Sequence, residues 1–212
     1  MTENKKPEAK IISKERLYDD FFKLDKYKIE MDKHDGGKQT LERVVFIRGD
    51  AVGILGYDPV RDEVLMTNEM RPGPLVNGEY PFYDALPAGM IDKGEDLLTA
   101  AKRELKEETG VTLKDAKVIN PGVYVSAGGT NERIALVFGI IDATTIGGIH
   151  GKPSEGENIK SSAVKAKEFL RRANDGELKD VKCLTAAFWF AQHRDRIRKQ
   201  YVQGVKKPGP RA

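Results

Sequence analysis

The sequence predicts an α+β fold, a mixed, mostly antiparallel sheet flanked by helices. Short apolar runs bounded by Gly, Pro, Asn and Asp recur between residues 11 and 141, as strands joined by turns do. A charged run of helix formers around Ala100, Ala101 and Leu105, stopped at Gly110, interrupts them. Two more helical runs follow, and strands with a few helices among them describe α+β.

In chain order, residues 1–10 are polar and are expected to be frayed. Between 11 and 29 apolar and aromatic residues (Leu17, Tyr18, Phe21, Phe22, Leu24, Tyr27) alternate irregularly with charges, which reads as strands. A turn at 34–37 precedes an alternating strand at 41–48. Residues 51–57 form the next strand, and Asp58, Pro59, Arg61 and Asp62 supply hairpin turn chemistry before a return strand at 63–70. A strand at 80–86 leads to the charged helix. Residues 117–125 and 133–141 then read as strands, the second apolar enough to be buried on both faces, with a glycine loop between them. Residues 142–158 are rich in Gly and acidic side chains and too poor in apolar ones to be core. Helices are expected at 165–174, stopped near Gly176, and at 185–201.

At 212 residues the chain suits one domain with an extension, divided as 1–48 (N-terminal strands), 49–202 (main domain) and 203–212 (basic tail). A net charge of +3 gives no field that argues for nucleic acid or a membrane. The late cations, Arg194 to Arg211, fit a solvated helix end and tail. Cys183 is the only cysteine and lies in an apolar run, so it forms no intrachain disulfide and reads as core. No apolar leader opens the sequence and no segment reaches the length of a membrane span, so the cytoplasm is the expected location.

The most informative stretch is 89–111, GMIDKGEDLLTAAKRELKEETGV. Glu104, Glu107 and Glu108 stand at i, i+3 and i+4, so three carboxylates share one helix face. Such a cluster repels itself unless a cation neutralises it, and oxygen donors without His or Cys suit Mg²⁺ or Mn²⁺. Leu97, Leu98, Ala101 and Leu105 form an apolar stripe beside them, so the helix can pack while its acids line a cleft. Gly89 and Gly94 are expected to let the preceding loop turn tightly, bringing backbone oxygens towards the cation.

Gly89, Glu95, Arg103, Glu104, Glu107, Glu108 and Gly110, with Leu105 and Val111, meet the pattern G-x5-E-x7-R-E-U-x-E-E-x-G-U, where U is a bulky aliphatic. That spacing resembles the Nudix box, so the chain is identified as a member of the Nudix hydrolase family. Segments outside the box resemble the branch containing ADP-ribose pyrophosphatases: the 86–92 lead-in, 68–71 with Arg71 aligned, 126–133 and 142–151. By this resemblance the Ala88 carbonyl, Glu104, Glu107 and Glu108 hold Mg²⁺. The acidic loop supplies the general base, Glu155 by preference, with Glu157 as a further metal ligand; the two could be exchanged. Arg71 binds a phosphate oxygen, while Arg103, off the carboxylate face, braces Glu95 or a catalytic Glu such as Glu107. Ser126 and Glu132 contact substrate, Phe21 stacks on the base and Arg43 lies beside it. The N-terminal strands are exchanged in a homodimer. Val44 departs from the pattern, since a Glu there would hydrogen-bond an adenine amino group.

The expected activity is hydrolysis of the pyrophosphate of ADP-ribose and related nucleoside diphosphate sugars. The nearest rival is the same chemistry on GDP-mannose or another sugar nucleotide. A nucleotide-sensing regulator that has lost catalysis would be expected to lack box carboxylates, and none is missing.

Overall fold

The computed structural model describes residues 6–205 and divides into two compact units, 1–50 with 124–133, and 51–123 with 134–212. In the first unit β1 (Ala9–Asp19), β2 (Lys23–Asp32) and β3 (Lys38–Ile47) form an antiparallel sheet in that order. β1 begins at Ala9, so the chain becomes regular slightly before the frayed stretch was expected to end; residues 1–5 lie outside the described residues. Its inner polar residue is Asp25, whose fully buried carboxylate takes an ion pair from Lys14 at 2.8 Å and another from Arg16. Arg16 and Lys14 hold the Asp25 carboxyl down at about 2, against the upward push of burial. The loop at 126–132 returns to this sheet: the Phe46 N–H donates to the Gly129 carbonyl at 2.9 Å.

The second unit holds an eight-stranded sheet. β4 (Ala51–Asp58) and β5 (Glu63–Met70) are an antiparallel hairpin whose turn is set by Asp58, which accepts from the Val60 and Arg61 N–H groups at 2.8 and 3.0 Å. A short helix, α1 (Pro72–Val76), leads to β6 (Phe82–Ala85), which pairs with β5. β7 (Ala88–Met90) pairs antiparallel with β4 immediately before α2 (Leu97–Thr109). β8 (Lys114–Tyr124) and β9 (Arg133–Ile140) follow, and β9 runs parallel to β4, so the sheet is mixed. β10 (Ile149–His150) and β11 (Ile159–Lys165) extend the β5 edge, and α3 (Ala166–Asn174) and α4 (Val181–Val205) end the described chain. The tail expected at 203–212 is helical to Val205, and its remainder lies outside the described residues.

Two apolar clusters hold this unit. α3 and α4 supply Phe169, Cys183, Ala186 and Phe190 to one, against Leu55, Tyr57 and Met66 of the sheet. Ala100, Ala101 and Leu105 of α2 pack in the other against Val52, Ile54 and Leu65. Cys183 is buried core, and its sulfur accepts the Leu86 N–H at 3.2 Å. Among the described residues no helix is long and apolar enough to cross a membrane.

Candidate active site

α2 is anchored at both ends. Asp96 caps its start, accepting from the Leu98 and Thr99 N–H groups at 3.0 and 3.1 Å, and Gly110 ends it in the left-handed region at φ 70°. With its alanines and Leu105 buried in the core, the helix turns its carboxylates towards β7. Glu108 goes deepest, at 4% exposure, and accepts the Ala88 N–H on Oε2 at 3.1 Å. Gly89 sits so close that a Cβ built there would overlap the Glu104 carboxylate. Glycine at position 89 thus leaves Glu104 in this place, and a larger residue would make its carboxylate move. The expected role in turning the loop is corrected: Gly89 is absent from the positive-φ residues, and the turn falls at Gly94, φ 84°.

Arg103 is the framework of the site. Nε and Nη2 fork onto Glu95 at 3.0 and 2.8 Å, and Nη2 also reaches the Met90 carbonyl at 3.0 Å. Nη1 donates to Glu104 at 2.7 Å and to Glu107 at 3.3 Å. The placement off the carboxylate face is thus corrected: Arg103 stands one turn before Glu107, at i,i+4, and pairs with two of the three acids as well as with Glu95, in line with the expected bracing. Its hydrogen bonds to Glu95 are the chief reason that its guanidinium holds its proton more tightly than usual.

Burial raises the Glu104 carboxyl despite the opposing pull of Arg103. Burial, and then the negative charges of Glu69 and Glu104, push Glu108 up to about 8. A divalent cation beside it would favour its charged form. Among the described residues no three acidic, His or Cys side chains are gathered into a finished cation cage; Glu104 and Glu107 are turned to Arg103 and Lys152 instead. The donor chemistry nevertheless fits a hard divalent ion, with carboxylate oxygens only, a desolvated Glu108 and a backbone cleared of side chain at Gly89.

The acidic loop lies against the same helix. Gly151 donates its N–H to the Glu107 carbonyl at 3.3 Å, and Lys152 Nζ pairs with Glu107 at 2.9 Å and Glu155 at 3.4 Å. Glu157 accepts the Lys152 N–H at 2.8 Å, whereas the Glu155 side chain is more than half exposed. Arg71, just beyond β5, is paired with Glu69. Burial raises the Glu69 carboxyl, with a smaller upward push from the Glu157 charge, and the Glu69 charge in turn raises Glu108.

Sequence reasoning passed over Glu69 and Lys152. Glu69 was within reach of it, since residues two apart on an extended segment share a face and Glu69 lies two before Arg71. Lys152 carries no such signal.

The remaining expected residues lie in the first unit. Phe21 is 77% exposed, with its ring 4.7 Å from that of Phe22. Arg43 and Val44 are neighbours on β3, both exposed, and Arg43 donates to the Glu42 carbonyl at 2.8 Å. The Ser126 carbonyl accepts from Gly129 and Thr130 N–H groups at 3.0 and 3.1 Å, which shapes the loop. Glu132 faces Arg48 at 3.4 Å, and the Arg48 guanidinium lies 5.1 Å from the Phe22 ring centre.

An acidic helix packs under a mixed sheet, with Gly89 leaving room for the Glu104 carboxylate, an arrangement of the hydrolase class. The NUDIX domain profile matches residues 47–184, and the chain belongs to the Nudix family. It is 33% identical over 198 residues to the ADP-ribose pyrophosphatase of Escherichia coli strain K12, covering 93% of this chain and 94% of that protein. The GDP-mannose pyrophosphatase of Pectobacterium atrosepticum is 29% identical over 177 residues, covering 82% and 89%. A crystal structure of an ADP compounds hydrolase superposes with a TM-score of 0.64 at 20% identity, over 88% of this chain and 96% of that one, a likeness of fold.

Proposed function

We propose that the protein is a Mg²⁺-dependent pyrophosphatase that splits ADP-ribose and related nucleoside diphosphate sugars into a nucleoside monophosphate and a sugar phosphate. Mn²⁺ can take the place of Mg²⁺ without changing the reaction. The observation that carries this reading is the packing of Gly89 against Glu104 beside the buried Glu108, which sets oxygen donors and cleared backbone together. The Ala88 carbonyl, Glu104, Glu107 and Glu108 hold the metal, joined by Glu157. A divalent ion held by these residues would supply neutralisation of the pyrophosphate charge and a more acidic water.

The chain's own groups do the rest. Arg103 keeps Glu104 and Glu107 in place, since its fork on Glu95 fixes it independently of them. Glu155, exposed on the loop, takes the remaining proton of the attacking water. Arg71 offers its donors to a phosphate oxygen, exchanging Glu69 for substrate. Phe21 stacks on the base, with Arg43, Ser126 and Glu132 at its rim. The working unit is a cytoplasmic homodimer with exchanged N-terminal strands, divided as 1–48, 49–202 and a basic tail at 203–212.

Val44 favours a second substrate alongside the first. A valine cannot read an adenine amino group, and a site without a polar reader separates bases by only about ten- to a hundredfold. Hydrolysis of GDP-mannose or another sugar nucleotide within about a hundredfold of the ADP-ribose kcat/KM is therefore expected, and Val44→Glu should widen the gap towards adenine. Product analysis over ADP-ribose, ADP-glucose, GDP-mannose and UDP-glucose, with Mg²⁺ and with EDTA, tests this. No AMP and ribose 5-phosphate from ADP-ribose, or full activity in EDTA, would remove the reading. Glu155→Gln should lower kcat with KM nearly unchanged, and Glu157→Gln should raise the Mg²⁺ requirement. Unaltered kinetics in both variants would take the loop out of the site.

A further inference from the structure

We propose that Lys152 is a tethered counter-ion that competes with the divalent metal for Glu107 and anchors the 151–157 loop to α2 in the metal-free enzyme. The inference rests on the metal reading of the box carboxylates given above. Glu107 Oε2 receives two cations, Lys152 Nζ at 2.9 Å and Arg103 Nη1 at 3.3 Å. They are not equivalent. Arg103 is held by its fork on Glu95 and by the Met90 carbonyl, whatever Glu107 does. Lys152 has a flexible stem and is 40% exposed, so it is the partner that can leave.

The backbone of the same residue is the hub of the loop. Its carbonyl accepts the Glu155 and Glu157 N–H groups at 2.9 and 3.2 Å, and its N–H donates to the Glu157 carboxylate at 2.8 Å. Gly151 makes this turn possible: its φ is +100°, and a Cβ there would lie 2.6 Å from the Glu157 Cβ. One lysine therefore joins the helix acid Glu107 to both acids of the loop. An ammonium bound at Glu107 Oε2 takes up one of the carboxylate's two oxygens and would repel a dication brought beside it. A metal held at Glu107 would compete with the Lys152 ammonium, and with that ammonium released the loop would keep its backbone contacts, the Gly151 N–H on the Glu107 carbonyl and those of Lys152 with Glu155 and Glu157.

The test is Mn²⁺ binding to the full, substrate-free chain, followed by the electron paramagnetic resonance signal of the free ion. Lys152→Met should bind Mn²⁺ about two- to fivefold more tightly, the scale of a partly exposed ion pair, and Lys152→Arg should not. In the metal-free protein the amides of residues 151–157 should exchange faster in Lys152→Met than in wild type. Glu108→Gln, which should lose Mn²⁺, is the reference for the site itself. Normal wild-type binding with Lys152→Met equal or weaker would overturn the competition alone. Unchanged amide exchange would overturn the anchor. Absence of Mn²⁺ binding by the wild type would overturn the metal reading and this inference with it.

Discussion

At the scale of single residues, Gly89 shows how a position can be specified by what it lacks. Its backbone is not in the left-handed region, yet any side chain there would occupy the Glu104 carboxylate's volume. In Gly89→Ala either Glu104 swings out or β7 shifts from its pairing with β4. Displacement of a reacting group by about 1 Å can cost about a hundredfold in rate. The expected outcome is a fall in kcat/KM of about that size, with circular dichroism and cooperative melting retained, because the core beneath is untouched. A Gly89→Ala enzyme with near wild-type kcat/KM would mean that Glu104 has no fixed place in the chemistry.

At the scale of elements, the hairpin β4–β5 is tied to the helices through Asp62. This residue has φ +59°, which Asp and Asn tolerate better than most side chains. Tyr57 Oη donates to its Oδ1 at 2.8 Å, Arg194 Nε of α4 donates at 2.9 Å, and its carbonyl accepts the first N–H of α3 at 2.9 Å. Burial pushes the Asp62 carboxyl up, but the hydrogen bonds from Arg194 and Tyr57 outweigh it, and the net shift is downward. Its contribution to stability is therefore complete above the unfolded value, about 3.9, and is lost as pH falls through the lower folded value. Asp62→Asn keeps the backbone preference and removes the charge. It should cost about 1–3 kcal/mol near neutral pH, with the gap to wild type closing below about pH 4. Thermal melts at both pH values measure it, and a gap that persists in acid would assign the effect to shape rather than charge.

The same scale shows what was legible beforehand. The acidic helix could be read because spacing alone puts three carboxylates on one face, and the β4–β5 turn because Asp58 announces it locally. β11 was not legible. Its buried positions are Ile159 and the polar Ser161, while Ala163, next on that alternation, is exposed, so the pattern carries little hydrophobic signal. The Lys152–Glu107 pair and the space at Gly89 depend on tertiary approach, which no local pattern encodes. α4 begins at Val181, before the expected 185, because Asp180 accepts the Lys182 N–H at 2.9 Å and starts the helix one turn early.

At the scale of the whole molecule, the N-terminal sheet is the part that does not close on itself. Every residue of β1 is exposed, and across the three strands the one buried position is Asp25, a charge rather than a core residue. Ile11, Leu17, Tyr18, Phe21 and Val44 all remain large, apolar and open to water. Three strands need a packed apolar face to persist, and exposed patches of this kind usually mark interfaces. The proposed second copy of the chain would meet that need with closed two-fold symmetry, each copy giving and receiving the same surface. Light scattering at micromolar concentration should therefore return twice the chain mass. Replacing Ile11 and Leu17 together by Asp should shift the mass towards the monomer without unfolding the second unit, whose core residues are elsewhere. A wild-type monomer at that concentration would sink the proposal, and the exposed strands would then need another partner.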